Sequence, residues 1–333
     1  MIDLFGIGNA LVDFESEISE SFLGDHLLEK GHMYLKDEAE IVLMRDKLPS
    51  DLKMSSGGSA ANTIYGASGF GLSCAYCCRV QDDEAGNFFV REMKEAGIHV
   101  DDIRVESSQP QSTGNCLVLV TDDAQRTMCT NLGISSELSV EDLNLNRLKS
   151  SGYLYVEGYL AASETGSQAA RRAIGVAVEL GIPVVLTLSD VSMVNFFRSN
   201  LEKFCTSPVN TIFCNEEEAL SWAGTDRLDI AFKRLKEIGR AIHVTVGSKG
   251  SMVCGPDENP KEVKGIETEV NDTNGAGDMY AAATLSMIAR GFTHAEAAHF
   301  GNYAAAQIVR EYGARLSSVG VYQTIKNRFA NSS

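Results

Sequence analysis

The feature that most constrains this chain is its rhythm. Short apolar runs alternate with longer stretches of helical periodicity, and glycines close many of the helical stretches. Residues 4–8, 75–80, 153–156, 183–188, 211–214 and 242–246 read as strands. Residues 60–69, 85–96, 165–180, 216–222, 230–238, 277–289 and 294–312 read as helices. Gly97, Gly181, Gly239, Gly291 and Gly313 stand where the helical patterns stop, and Pro183 follows Gly181. Strands and helices alternating at this spacing predict an α/β fold, a mostly parallel sheet covered by helices on both faces. Such sheets bind ligands at the carboxyl ends of their strands.

Two pieces break the rhythm. Residues 14–36 and 111–132 are richer in strand signals, and 115–120 with 126–130 form a hairpin around Thr121-Asp122-Asp123-Ala124-Gln125. They are expected to make a small β lid, 13–37 and 111–132, over a large α/β domain of 1–12, 38–110 and 133–333. The tail Ala330-Asn331-Ser332-Ser333 is expected to fray.

Composition narrows the function. The 333 residues are 44% hydrophobic and 22% charged, ordinary for a folded protein with a full core. With 29 basic and 45 acidic residues the formal charge is −16, which argues against a nucleic-acid partner. No apolar run approaches bilayer length, so no membrane partner is expected. No basic segment followed by a long apolar stretch opens the chain, and a cytoplasmic location is expected. Cys74 and Cys77 form a C-x-x-C, with Cys78 beside it and five other cysteines elsewhere. No second pair accompanies it, and Leu72–Val80 reads as a buried strand, so these cysteines are expected to act as small, reduced hydrophobes.

The segment with the most chemistry is Val270-Asn271-Asp272-Thr273-Asn274-Gly275-Ala276-Gly277-Asp278-Met279. Two glycines and an alanine precede a periodic helix. Glycine lets backbone N–H groups approach a ligand, and a helix N-terminus adds partial positive charge. Together they make an anion hole for a transferring phosphoryl group. Asp278 beside it can accept the proton of an attacking hydroxyl, and the helix dipole should keep it ionised. The glycine pattern alone leaves Asp278 either a base or a helix cap.

G-A-G-D after D-T resembles the signature of the ribokinase-like (PfkB) family of small-molecule kinases, and D-T-N-G-A-G-D is most similar to its adenosine kinase branch. The resemblance covers nearly the whole chain, through motifs in the family's order. Gly8-Asn9-Ala10-Leu11-Val12-Asp13 looks like the first substrate-binding segment, and Ser56-Gly57-Gly58-Ser59-Ala60-Ala61-Asn62-Thr63 like the second glycine signature. Asn215-Glu216-Glu217-Glu218 fits N-x-x-E, and Thr245-Val246-Gly247-Ser248-Lys249-Gly250 fits the nucleotide loop. The family implies a doubly wound, mostly parallel sheet sandwiched by helices, with a β-rich lid.

The resemblance also implies roles. Asp13 would bind two vicinal ribose hydroxyls, with Asn9, Leu11, Gly58, Ser59 and Asn62 around the substrate. Gly275, Ala276 and Gly277 would form the anion hole and Asp278 the base. Thr245, Gly247, Ser248, Gly250, Asn215 and Asn302 would contact ATP. Asn215 and Glu218 would meet Mg²⁺ through water, because Mg²⁺ dehydrates reluctantly. Asp272 and Asn274 match positions that hold a monovalent cation such as K⁺ in many members, with Val309, Tyr312, Ala314 and Ser318 as weaker candidates. Thr187-Leu188-Ser189-Asp190 and Thr130-Asn131-Leu132-Gly133 also resemble the adenosine kinase branch. Leu132 and Ile134 would line the base pocket, and Tyr159 either stacks on the base or packs at a strand end.

The expectation is therefore an ATP- and Mg²⁺-dependent kinase for the 5′-hydroxyl of a purine nucleoside, acting as monomer or homodimer. A family sugar kinase and a non-catalytic nucleoside-binding regulator are the alternatives. No Gly-Lys pair occurs, which excludes a Walker loop. The glycines of Gly66-Ala67-Ser68-Gly69-Phe70-Gly71 fall at a helix end, unlike a dinucleotide fingerprint. H-E-x-x-H and G-x-S-x-G are absent, against zincins and α/β hydrolases.

Overall fold

A computed structural model of the chain describes residues 1–50, 52–105, 111–123 and 125–332. Ala124, within the expected hairpin turn, and Ser333, at the end of the tail, lie outside the described residues. In chain order the strands are β1 Ile2–Ile7, β2 Leu11–Glu17, β3 Met33–Leu35, β4 Lys53–Gly57, β5 Cys74–Gln81, β6 His99–Val105 and β7 Gly114–Val120. They continue as β8 Arg126–Asn131, β9 Ser151–Glu157, β10 Val184–Thr187, β11 Val209–Asn215, β12 Gly239–Thr245, β13 Gly250–Cys254 and β14 Lys261–Lys264.

Nine strands form the large sheet in the order β14-β13-β12-β11-β10-β9-β1-β5-β6. It is parallel from β12 through β6, while β13 and β14 run antiparallel at one edge. Each strand shows alternate residues to opposite faces. Leu4 joins the core beneath helices Ser59–Gly69, Ala276–Ile288 and Val319–Ser332, whereas Phe5 and Ile7 join the one beneath Glu164–Leu180. The order reverses between β1 and β9, which opens a crevice at their carboxyl ends.

Five strands form the small sheet in the order β3-β8-β7-β2-β4. The hairpin of β7 and β8 forms as expected, with Asn115 opposite Asn131. One strand of the small sheet comes from outside the expected lid: β4 pairs antiparallel with β2, although it lies within the stretch 38–110 expected in the large domain. In the large sheet β6, β13 and β14 are likewise additions to the strands expected. Lys53-Met54-Ser55-Ser56-Gly57 carries too few β-formers to be legible, and only its bonds to β2 make it a strand.

Other boundaries shift for identifiable reasons. Helix Leu228–Leu235 stops before Gly239, which opens β12 instead of capping the helix. A Cβ at Gly239 would lie 2.7 Å from Ile212 Cδ1, so a larger residue there would have to push the Ile212 side chain aside. Helix His294–Ile308 ends well short of Gly313, and the Val309 carbonyl accepts the N–H groups of Asn271 at 2.8 Å and Asp272 at 3.1 Å. That tertiary pairing anchors the loop before helix Ala276–Ile288 where helix His294–Ile308 ends. The tail does not fray at Ala330: helix Val319–Ser332 runs through it. Among the described residues no helix is long and apolar enough to cross a membrane.

Cys74 and Cys77 stand three apart on β5 and therefore face opposite sides of the sheet, in the two different cores. They form neither a redox pair nor half a metal site. All eight cysteines are buried, and burial lifts the thiols of Cys74, Cys77, Cys116 and Cys214 well above their ordinary range. Ellman's reagent should accordingly find almost no reactive thiol in the native protein and all eight after denaturation. Rapid native labelling of two thiols would contradict this packing.

Candidate functional site

The crevice between β1 and β9 opens into a cavity of about 600 Å³, roofed by the small sheet. Its floor is built around Glu157, the last residue of β9 and only 1% exposed. Glu157 Oε1 accepts from Asn9 Nδ2 at 2.8 Å, and Oε2 accepts from Ala60 N–H at 2.8 Å. One carboxylate thus ties the loop after β1 to the first turn of helix Ser59–Gly69. Gly58 precedes that helix with φ +94°, and a Cβ there would lie 2.7 Å from the Asn9 carbonyl oxygen. Only glycine combines that conformation with that approach.

Helix Ser59–Gly69 then presents two donors to Asp278. Ser59 Oγ donates to Oδ1 at 2.7 Å, and Asn62 Nδ2 donates to Oδ2 at 3.0 Å. Asp278 sits in the first turn of helix Ala276–Ile288, whose N-cap, Gly275, has φ +73°. A Cβ on Gly275 would lie 2.6 Å from Ala314 Cα, whereas one on Gly277 would meet open space. The protein's packing therefore requires glycine at 275 but not at 277, where the open space belongs to the cavity. Ala276 N–H donates to Thr273 O at 3.2 Å. The N–H groups of Gly275 and Gly277 have no partner among the described residues and are left for an anion.

The helix dipole does not keep Asp278 at an ordinary carboxylate pKa. Burial raises it to about 6, opposed by the Ser59 and Asn62 hydrogen bonds and by Arg315. Burial likewise lifts Asp13 to about 6 and Glu157 and Glu218 to about 7. Against these carboxyls, Arg126 on β8 is the sole cationic side chain lining the cavity among the described residues. Arg126 donates to Glu15 Oε2 at 2.8 Å and pairs with Asp272 Oδ2 at 3.0 Å, bridging the small sheet to the loop before helix Ala276–Ile288.

Most of the anticipated residues converge. Asn9, Leu11, Asp13, Gly58, Ser59, Asn62, Leu132 and Tyr159 line the cavity, as do Asn215, Glu218, Thr245, Asp272, Asn274, Ala314 and the stretch Gly275 to Asp278. Ile134 lies behind the wall, fully buried. Gly247, Ser248 and Gly250 follow β12 beyond the cavity rim, and Gly250 is held by φ +107° with Val263 O where a Cβ would go. Asn302 lies apart from the cavity, its Nδ2 donating to the carbonyls of Val263 at 2.9 Å and Lys264 at 3.2 Å. Tyr159 sits among Asp190, Glu157, Asp278 and Glu218, and burial holds its hydroxyl un-ionised.

Two metal expectations meet different geometry. Asn215 and Glu218 form a capping box: Asn215 Oδ1 accepts from Glu218 N–H at 2.8 Å and Glu218 Oε2 accepts from Asn215 N–H at 3.3 Å, while Asn215 Nδ2 also donates to Glu218 Oε1 at 2.6 Å. No three acidic, histidine or cysteine side chains converge as a dedicated metal cage among the described residues. Asp190 and Glu218 with no lining cation beside them do suit a hydrated Mg²⁺ carried by a nucleotide. Asp272, expected to help hold a monovalent ion, is engaged by the chain itself. Its Oδ1 accepts from Asn274 N–H at 2.9 Å, and its Oδ2 accepts from Gly313 N–H at 2.8 Å and faces Arg126.

Glu157, Arg126 and Arg315 escaped the sequence reading. A carboxylate ending the apolar run Tyr153-Leu154-Tyr155-Val156 was a usable signal for Glu157, since parallel strands bind ligands at that end. Arg126 and Arg315 act on partners distant in the chain, and no spacing announces them.

Comparison with known proteins places this geometry. The profile of the pfkB family carbohydrate kinases matches residues 33–319. The adenosine kinase of Dictyostelium discoideum is 25% identical over 342 residues, covering 95% of this chain and 96% of that one. The solved structure of the adenosine kinase from Sinorhizobium meliloti superposes with TM-score 0.88 at 31% identity over 99% of both chains. A probable sugar kinase from Rhizobium etli superposes with TM-score 0.86 at 28% identity over 98% of both. With the family profile spanning most of its length and the fold shared from end to end, this chain belongs to the pfkB family of carbohydrate kinases and has the ribokinase-like α/β fold.

Proposed function

We propose that this kinase transfers the γ-phosphoryl group of ATP, bound as its Mg²⁺ complex, to the 5′-hydroxyl of a purine nucleoside, adenosine, and so serves purine salvage in the cytoplasm. One observation carries the reading: the Asp278 carboxylate, with both oxygens oriented by Ser59 and Asn62, faces a cavity beside the free N–H groups of the Gly275–Gly277 turn. A base and an anion hole therefore meet where a hydroxyl and a phosphoryl group would meet.

In the proposed reaction Asp278 takes the proton of the hydroxyl as its oxygen bonds to the γ-phosphorus. The bond from that phosphorus to the bridging oxygen breaks, and ADP leaves. The Gly275 and Gly277 N–H groups and the Arg126 guanidinium stabilise the charge on the transferring group. The Mg²⁺ that accompanies the nucleotide would sit through water near Glu218 and Asn215. Thr245, Gly247, Ser248 and Gly250 would carry the nucleotide, and Asn302 would support their loop through β14 instead of touching adenine. Asp13 would bind the ribose hydroxyls. The small sheet would act as a lid that excludes water.

The acceptor reading draws on the roof. Leu11, Met33, Leu35, Met128 and Leu132 give the small sheet an apolar lining, which suits the faces of a purine. A free sugar, hydroxylated around its ring, would leave that lining uncovered. A sugar acceptor is the second reading, supported by the likeness to a probable sugar kinase and by the polar floor of Asn9, Asp13 and Glu157. ATP consumption across adenosine, other nucleosides, ribose and fructose decides between them: turnover with sugars alone rejects the first, and binding without turnover supports a regulator.

Three outcomes test the mechanism. Asp278→Asn should lower kcat by about a hundredfold to ten-thousandfold while ATP still binds by calorimetry. Near-normal turnover would remove Asp278 as base. Because a protonated base cannot accept a proton, kcat/KM should fall as pH drops through about 6, well above the ordinary aspartate range. The limb belongs to a coupled set, since Asp13, Glu157 and Glu218 titrate close by. Gly277→Ala should leave the melting temperature nearly unchanged yet depress kcat, because its methyl group enters the phosphoryl space. Gly275→Ala should instead cost about 1–3 kcal/mol of stability through its backbone conformation. Equal stability losses in the two variants would contradict the assignment.

A further inference from the structure

We propose that Arg315 is a positioning residue for phosphoryl transfer, holding the Asn62 amide in the one orientation that presents an N–H to Asp278. The inference rests on the reading of Asp278 as the base. Arg315 lies in the loop between helices His294–Ile308 and Val319–Ser332, with its side chain only 7% exposed. Its Nε donates to Asn62 Oδ1 at 2.8 Å, and Asn62 Nδ2 donates in turn to Asp278 Oδ2 at 3.0 Å. Arg315 is not among the residues lining the cavity, so it reaches the reacting atoms through Asn62.

The amide explains why an arginine is needed. The two ends of an asparagine side chain are alike in shape and opposite in polarity. Turned over, Asn62 would set its carbonyl oxygen against the Asp278 carboxylate. A charged donor on Oδ1 prevents that, because the flip would leave a buried guanidinium facing an NH₂ group. Ser59 fixes the other carboxylate oxygen, so the plane of the base is set from two sides. The guanidinium is itself clamped. Its Nη1 donates to Glu92 Oε2 at 3.2 Å, and it lies 4.7 Å from the centroid of the Tyr65 ring. Glu92 Oε2 is held in place by the Ser56 N–H at 3.1 Å. The contacts to Glu92 and Tyr65 would suffice to pin the loop. The Nε bond to Asn62 is the one that points toward the chemistry. The Arg315 charge also pulls the Asp278 and Asp13 carboxyls down against their burial. The other acidic groups near Asp278 are Glu157 at the end of β9 and Glu218 in helix Glu216–Ala223; the Asp278 charge adds to the upward push that burial gives each of them, and both stay unaltered in the variants below.

The test compares Arg315→Met and Arg315→Lys with the parent in three measurements: kcat and KM against pH, thermal unfolding, and a ¹³C-carboxyl NMR titration of Asp278. The Asp278 resonance is assigned by its loss in Asp278→Asn. Arg315→Met should lower kcat by about tenfold to a hundredfold with the KM for ATP unchanged, and should move the Asp278 midpoint to higher pH. Arg315→Lys should keep the parental midpoint but not the parental kcat, since an ammonium has no planar fork to hold Asn62 and Glu92 together. An unchanged midpoint in Arg315→Met, or parental kcat in either variant, overturns the proposal. If Arg315→Met does not fold, Arg315→Lys decides through kcat. A midpoint that moves in a protein without kinase turnover would sink the phosphotransfer reading while retaining the Arg315–Asn62–Asp278 linkage. Turnover that depends on Asp278 but ignores Arg315 would sink this inference alone.

Discussion

The buried carboxylate of Glu157 is the contact on which the rest of the site depends. It stands where the strand order reverses, and its two oxygens join the loop after β1 to the first turn of helix Ser59–Gly69. A carboxyl this deeply buried is tolerated only when its oxygens are hydrogen-bonded, so the chain around it has little freedom. Its position determines where the helix begins. The start of that helix determines where Ser59 and Asn62 point, and those two side chains orient Asp278. The Asp278 carboxylate is thus set by a relay that begins at the floor of the sheet.

The electrostatics follow from the same burial. Asp13, Glu157, Glu218 and Asp278 all have carboxyls pushed upward by loss of water around them. Left alone, such a group would take up protons and lose its use as a base or as a partner for a cation. Arg126 and Arg315 counter the effect at Asp13, and Arg315 counters it at Asp278. The balance leaves Asp278 able to lose its proton near neutral pH and still basic enough to accept one, which is the compromise general-base catalysis favours. The remaining acidity near Glu218 matches a hydrated divalent cation better than a bare phosphate.

The small sheet is attached at both ends of the site. β4 ends in the glycine pair before helix Ser59–Gly69, paired there with β2, and β8 sends Arg126 onto Asp272 in the loop before helix Ala276–Ile288. A roof connected in this way shares its ion pair with the loop that would bind the transferring group. The other contacts of Asp272 are local: its oxygens accept the N–H groups of Asn274 and Gly313.

Much of this was legible in the residues alone. The alternation of apolar runs and glycine-closed helices specified a layered α/β fold, because each periodicity allows one way of burying an apolar face. The Gly275–Asp278 string and the four motifs ahead of it identified the chemistry, because turns, helix starts and anion holes are local. What the sequence left open is non-local. β4 became a strand only through β2, Gly239 serves packing against Ile212 and not a helix end, and Asp278 has a raised carboxyl because of walls drawn from across the chain. The Asn302 side chain holds the end of β14, a contact that no spacing in the chain announces. Arg126 and Arg315 gain their meaning from partners far away in the chain, and pairings of that kind arise only when the chain packs. The sequence by itself determined the local backbone geometry and the kind of chemistry. Tertiary structure decided which side chains share a cavity, how they are charged and what orients them, since burial and long-range contacts exist only in the folded chain.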